Sequence, residues 1–223
     1  MKRIVIAIDG PAASGKSTTA RLVAARLGYL HIDTGAMYRA ITLKALQQGL
    51  NVNERAKIEA LAHTCEILFR NDAGSQRVIL DGVDVSAAVR MREVTANVST
   101  VSSYPGVREV LVREQRKIAA QGGVVLEGRD IGTVVLPGAE LKVFMVANVH
   151  ERARRRKEDL MATGIQANED ELVHELETRD RKDSTRAASP MRKADDAIEL
   201  DTSNLTIDQQ VEFIVQRAQA KMR

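Results

Sequence analysis

Ile4-Val5-Ile6-Ala7-Ile8-Asp9-Gly10-Pro11-Ala12-Ala13-Ser14-Gly15-Lys16-Ser17 carries an apolar run straight into a glycine-containing turn. The run does not alternate, so it reads as a strand buried on both faces, as in a parallel sheet. Gly10 to Ser17 fit the pattern G-x-x-x-x-G-K-[ST] at every fixed position. Lys16 to Leu27 read as a helix, with Gly28 placed to end it. Strand, tight turn and helix N-terminus together aim backbone N–H groups at an anion. In that pattern Lys16 reaches the β- and γ-phosphates and the Ser17 hydroxyl coordinates Mg²⁺. Gly10, Pro11, Ala12, Ala13, Ser14, Gly15, Lys16, Ser17 and Thr18 are therefore the candidate ATP site, and Ser17 the candidate metal ligand.

Further along, Tyr29 to Ile32 reads as a second strand, ended by Asp33-Thr34-Gly35 and followed by a helix from Ala36 to Gln48. Asn53 is placed to cap a short helix reaching His63. Cys65–Phe69, Arg77–Leu80 and Val83–Val85 read as short strands. Asn71-Asp72-Ala73-Gly74 and Asp81-Gly82 supply the turns between them, so this stretch reads as an inserted antiparallel meander. Helical sequence runs from Arg92 to Ser102, and Pro105 opens another helix that Gly122 or Gly123 ends. Val124–Glu127 is a core strand leading directly into Gly128-Arg129-Asp130, and Leu141–Ala147 is another. Asn148 is placed to cap a basic helix ending near Gly164. Asn168–Glu171 and Thr206–Gln209 read as capping boxes, with a last strand, Ala197–Leu200, between their helices. About five apolar strands interleaved with helices argue an α/β fold with a parallel sheet covered on both faces. Ligands in such sheets bind beyond the carboxyl ends of the strands, where the polar segments of this chain fall.

Composition narrows the function. The 223 residues are 44% hydrophobic and 28% charged, as in an ordinary globular protein of one core with insertions. Lys and Arg number 33 against 30 Asp and Glu, and aromatics are only 3% with no Trp. That balance argues against nucleic-acid binding, which needs a basic track or stacking aromatics. Cys65 is the only cysteine, so an intrachain disulfide is excluded. It is expected to be a small buried apolar residue in a reducing cytoplasm. The apolar run ending at Asp9 is too short for a signal peptide, and no run approaches membrane-spanning length. The D-x-x-G and N-K-x-D segments of GTP-binding switches are absent. No apolar helix stripe is left over, which suits a monomer without an obligate partner.

Arginines gather at strand ends and helix starts: Arg39, Arg108, Arg129, Arg154 to Arg156, Arg179 and Arg186. Two phosphate groups brought together need this charge neutralised, and planar guanidinium groups do it well. Arg129, directly after a core strand, reads as functional. Arg152, Lys157 and Arg192 read as solvated helix surface. None of the four histidines is assigned chemistry.

Four segments carry a resemblance: Gly10-Pro11-x-x-x-Gly15-Lys16-Ser17, Asp33-Thr34-Gly35-Ala36-Met37-Tyr38-Arg39, Glu127-Gly128-Arg129-Asp130-Ile131-Gly132-Thr133 and Arg179-Asp180-Arg181-Lys182-Asp183. In order and spacing the chain resembles the bacterial cytidylate kinases over essentially its whole length. The resemblance implies a three-layer P-loop NTPase fold with a small antiparallel β insertion and a helical lid. Its expected parts are a core (1–33, 103–147 and 188–223), a monophosphate-binding region (34–102, β-rich at 65–86) and a lid (148–187). It implies transfer of the γ-phosphoryl group of ATP to CMP or dCMP with Mg²⁺, in the cytoplasm. Lys16, Arg129, Arg179 and Arg186 are implied as catalytic, and Thr34, Arg39, Arg129, Arg179 and Arg186 as holding the phosphates. Ser99, Arg108 and Asp130 would read cytosine, and Asp183 with Arg179 the sugar hydroxyls. The chemistry of Asp130 agrees, since a carboxylate accepts from the cytosine amino group and repels the carbonyl that uracil presents there. A structural ion pair of Asp130 with Arg129 or a neighbour is compatible with that role.

Overall fold

The computed structural model describes residues 2–72, 75–162 and 164–223. The opening run forms β1 (Val5–Asp9) and passes through the loop into α1 (Lys16–Leu27). Then come β2 (Leu30–Asp33), α2 (Thr34–Gln47) and α3 (Arg55–His63). The meander is β3 (Ile67–Asp72), β4 (Ser75–Leu80) and β5 (Val83–Asp84), followed by α4 (Arg92–Val101) and α5 (Pro105–Ala119). β6 (Val124–Gly128), β7 (Leu141–Val146), α6 (Val149–Met161), α7 (Glu169–Thr185), β8 (Ile198–Asp201) and α8 (Ile207–Lys221) complete the chain. Two units result: Met1–Leu30 with Gly122–Arg223, and His31–Gln121.

The five-stranded sheet has the order β2-β6-β1-β7-β8, and its strands β1, β6, β7 and β8 belong to the first unit. β1 pairs in parallel with β6 and β7, and β7 with β8. The expected α/β architecture, with parallel strands flanked by helices and a separate three-stranded antiparallel sheet, is therefore present. The non-alternating run of β1 is explained by its central place. Ile4, Ile6 and Ile8 are fully buried, each contributing about 1.5–3 kcal/mol by burial. They share a core with Ala20 and Val23 of α1 and Val211 and Ile214 of α8. Thr206 and Gln209 make the expected reciprocal capping box of α8.

The second unit packs α2, α3, α4 and α5 with the meander. Met37, Ile41, Ile58, Val101, Val107 and Leu111 form one cluster, and Ala40, Leu43, Val78 and Leu80 another. Asp81 and Gly82 both have positive φ, 51° and 82°, as the hairpin turn requires. The Ala73-Gly74 turn lies outside the described residues.

Several expectations differ in detail. α2 begins at Thr34, because Asp33 caps it by accepting from Ala36 N–H at 3.1 Å. Glu54, not Asn53, is the cap position of α3. Asn168 accepts from Asp170 N–H at 2.8 Å, the capping contact of α7. The segment after Asp130 winds into a π-helical turn, Ile131–Val135, which the sequence pattern did not show. α5, assigned from sequence to the core, groups with the second unit, because Val107 and Leu111 pack on α2 and α3. Residues 148–187 group with the first unit through a small core of Ala12, Ala153, Leu172 and Leu176.

Candidate active site

The loop between β1 and α1 is held by its carbonyls. Gly10 has φ 145° and lies so close to Met145 O of β7 that a Cβ there would collide with it. Arg152 Nη1 donates to Ala12 O at 3.2 Å, and Thr202 Oγ1 donates to Ser14 O at 3.0 Å. Lys16 Nζ donates to Pro11 O at 2.5 Å and to Ser14 Oγ at 3.2 Å. With its carbonyls engaged in this way, such a loop is set to offer N–H groups to an anion. The cap position of α1 is Gly15, with φ 90° and no side-chain capping bond, so the helix end is open to the same anion.

Around this loop the first unit gathers most of the expected residues. Ser17 Oγ donates to Glu127 Oε2 at 2.7 Å, at the end of the adjacent strand β6. Arg129 Nε donates to Asp183 Oδ2 at 3.0 Å, and Arg186 Nη2 to Asp130 Oδ1 at 3.1 Å. The second pair is almost completely buried. α7 supplies its share through helical spacing: Leu172, Leu176, Arg179 and Asp183 fall on one face, apolar at one end and charged at the other. Burial works to raise the Asp183 carboxyl. The guanidinium groups of Arg129, Arg179 and Arg186 outweigh it and hold Asp183 below its usual range. Burial, then the charge of Arg129, pulls the Lys16 ammonium well below its usual range, with Glu127 opposing. Lys16, Arg129, Arg179 and Glu127 thus share one electrostatic neighbourhood.

The second unit holds Thr34, Arg39, Ser99 and Arg108. Thr34 is buried at the first turn of α2, and Arg39 stands 4.0 Å from Asp33. Burial would raise the Asp33 carboxyl, but Arg39 and Arg90 bring it below its usual value. Ser102 Oγ donates to Ser99 O at 3.1 Å, and Arg108 Nη1 donates to Ser102 O at 3.2 Å, which ties Ser99 to Arg108. The Arg108 guanidinium lies 5.4 Å from the centre of the Tyr38 ring.

Arg152 corrects the sequence reading. It is not solvated surface: it is 6% exposed and donates to Ala147 O, Ala12 O and Asp180 Oδ2, the last at 2.5 Å. It lies beside Ala153, in the cluster where α6 meets α7 and the loop. The apolar spacing Val149, Ala153, Leu160 carried this phase, but the charge run around it obscured the signal. Lys157 is half-buried on Glu169, and Arg192 is exposed as expected. Asp9 and Glu127 are contributors to which sequence reasoning gave no role, whereas Arg155 and Thr202 lay within segments that it had marked. Arg155 braces the loop indirectly, donating to Thr202 O at 2.6 Å. Arg152→Ala leaves Asp180 without its partner in a largely buried setting. It is expected to destabilise the protein by about 3 kcal/mol, lowering Tm by roughly 6–12 °C. Thermal unfolding decides, and a Tm within about 2 °C of wild type would show the pair to be dispensable.

Residues 6–220 match the family described as cytidylate kinase. A protein named cytidylate kinase from Limosilactobacillus fermentum is 50% identical over 224 residues, covering 100% of this chain and 99% of its own. One of the same name from Bacillus licheniformis is 49% identical over 216 residues, covering 96% of each chain. Among solved structures, an uncharacterized protein from Eubacterium ventriosum is similar with a TM-score of 0.53 at 13% identity. That match covers 98% of this chain and 99% of the other, and is a likeness of fold alone.

Proposed function

The chain belongs to the cytidylate kinase family, and on that premise we propose that it transfers the γ-phosphoryl group of ATP to CMP or dCMP, giving ADP and CDP or dCDP. The observation that carries the proposal is the family match over residues 6–220. The gathering of Lys16, Arg129, Arg179 and Asp183 beside an anion-binding loop supports it. The acceptor phosphate is already an anionic nucleophile, so no strong general base is required of the protein. What the chain must supply is alignment and neutralisation of charge. The loop holds the ATP phosphates, Lys16 follows the charge as it moves, and Arg129, Arg179 and Arg186 neutralise the phosphates in flight. We assign Thr34 and Arg39 to the acceptor phosphate, Ser99, Arg108 and Asp130 to cytosine, and Asp183 to the sugar. These assignments rest on the family motifs.

The donor set fits Mg²⁺. Ser17 Oγ and Glu127 Oε2 are hard oxygens within hydrogen-bond distance at the mouth of the loop. Among the described residues no group of three or more His, Cys, Asp or Glu could hold a metal alone. Ser17 and Glu127 would hold Mg²⁺, which would supply positive charge to neutralise what develops on the phosphates. Among the described residues no helix is long and apolar enough to cross a membrane. We take the protein to act in the cytoplasm as a monomer, with 148–187 serving as its lid.

The test is ADP release with ATP and Mg²⁺ against CMP, dCMP, UMP and AMP. CMP and dCMP are expected to support turnover, and UMP and AMP to do so poorly. No turnover with CMP, or a preference for UMP or AMP, would overturn the proposal.

A further inference from the structure

We propose that Asp9 is a positioning residue for this phosphoryl transfer, its carboxylate clamping the backbone on the far side of Arg129 and Asp130 so that both side chains are held in place. The inference rests on the kinase reading above and adds to it a residue whose hydrogen bonds go to the backbone of another segment.

Asp9 is the last residue of β1 and is 4% exposed. Its two oxygens are used separately. Ile131 N–H donates to Oδ1 at 2.8 Å and Gly132 N–H to Oδ2 at 2.7 Å. The same residue stands opposite Gly128 in the β1–β6 ladder. Arg129 and Asp130 are the only residues between these two anchors. A two-residue span fixed at both ends leaves its side chains little freedom of direction. These two side chains make the ion pairs with Asp183 and Arg186. Beyond the clamp, Asp130 O accepts from Val134 N–H at 2.9 Å and Val135 N–H at 3.2 Å, which closes the π-helical turn. The clamp therefore sets the start of that turn as well.

Burial, against the two amide bonds and Lys16 and reinforced by Asp130, pushes Asp9 up to about 6 from 3.8. The native protein thus holds this proton more tightly than the unfolded chain does. Above pH 6 the ionised Asp9 opposes folding, and this opposition fades as pH falls through about 6 toward 3.8. The charged groups facing it are Lys16 from α1 and Asp130 from the clamped segment. Lys142 of β7, near Gly132, is turned to Pro137 O and Asp196. A buried charge kept at the expense of stability is what a trade between stability and activity produces. Two backbone donors need two acceptors, and only a carboxylate offers both. An asparagine would turn an NH₂ donor toward one of the N–H groups.

The experiment has two arms. In the wild-type protein without nucleotide, the amide resonances of Ile131 and Gly132 are followed by ¹⁵N NMR between about pH 4.5 and 8. They are expected to shift together with a midpoint near 6, and in Asp9→Asn the shared transition is expected to vanish. In the second arm, Asp9→Asn is expected to lower kcat by about tenfold or more, change KM for ATP and CMP by less than about threefold, and keep or raise Tm at neutral pH. Ile131 and Gly132 amide resonances that stay in place when Asp9 is replaced by Asn would overturn the clamp. A variant with unchanged kcat, or one too unstable to assay, would overturn the positioning role. A wild type inactive on CMP would instead remove the kinase reading, leaving the amide resonances to judge the clamp alone.

Discussion

Lys16→Ala is expected to lower kcat by about a hundredfold or more while the protein stays folded. The Lys16 ammonium is buried and held by acceptors of its own loop, Pro11 O and Ser14 Oγ. A bound polyphosphate offers far stronger acceptors, so the side chain exchanges loop contacts for phosphate oxygens without travelling far. The effect on stability runs the other way. Burial and Arg129 lower the Lys16 ammonium well below 10.5. The native state therefore binds this proton less readily than the unfolded chain. Below the native value the charge opposes folding, and that opposition is gone only above the unfolded value. Removing the side chain relieves it, so Tm of the variant should equal or exceed that of wild type at neutral pH. Steady-state kinetics with circular dichroism decides. A folded variant retaining more than about a tenth of wild-type turnover, a loss under about 1.4 kcal/mol, would remove Lys16 from the mechanism.

What could be read before the structure was known divides along a physical line. The loop was legible because its chemistry depends on backbone shape, and Gly10, Gly15 and Lys16 stand at fixed spacings that encode it. β1 and β6 were legible because full burial erases alternation, leaving runs such as Val124-Val125-Leu126. Arg179 and Asp183 of α7 were legible only through the family motif that contains them. Three things were not legible, for separate reasons. Asp9 read only as the end of the apolar run, since no periodicity distinguishes a strand-end carboxylate that faces water from one that grips a neighbouring backbone. Arg152 was lost in a run of like charges, because composition outweighed the phase set by Ala153. α5 showed its apolar face plainly, but an amphipathic stripe does not say which partner covers it, and Val107 and Leu111 are covered by α2 and α3. Periodicity reports that a face is buried. Only long-range packing decides against what.

Asp130→Ala is expected to cut kcat/KM for CMP far more than for UMP, narrowing their ratio by about 10- to 100-fold. Two losses are combined in this variant, and they separate by their dependence on the base. The first is common to every acceptor. Asp130 is buried against Arg186 at 3.1 Å, and its removal leaves that guanidinium without this carboxylate. Arg186 keeps its bond to Ser189 O at 2.7 Å, so it is not released entirely, but its direction changes for all substrates alike. The second loss is selective. Only cytosine offers an amino donor to the carboxylate, and a charged hydrogen bond of that kind is worth about 1.5–3 kcal/mol. Asp130→Asn divides the two further. Its carbonyl oxygen can still accept from cytosine, and by rotating its amide it can donate to the carbonyl of uracil. UMP should therefore be used better by the asparagine variant than by the alanine variant, while CMP loses in both. Kinetics with CMP and UMP on the wild type and both variants gives the answer. Equal losses on the two bases would make Asp130 a support for Arg186 alone. A shifted ratio in both variants, larger for alanine on CMP and reversed toward UMP for asparagine, would show that one carboxylate both orients the arginine and reads the base.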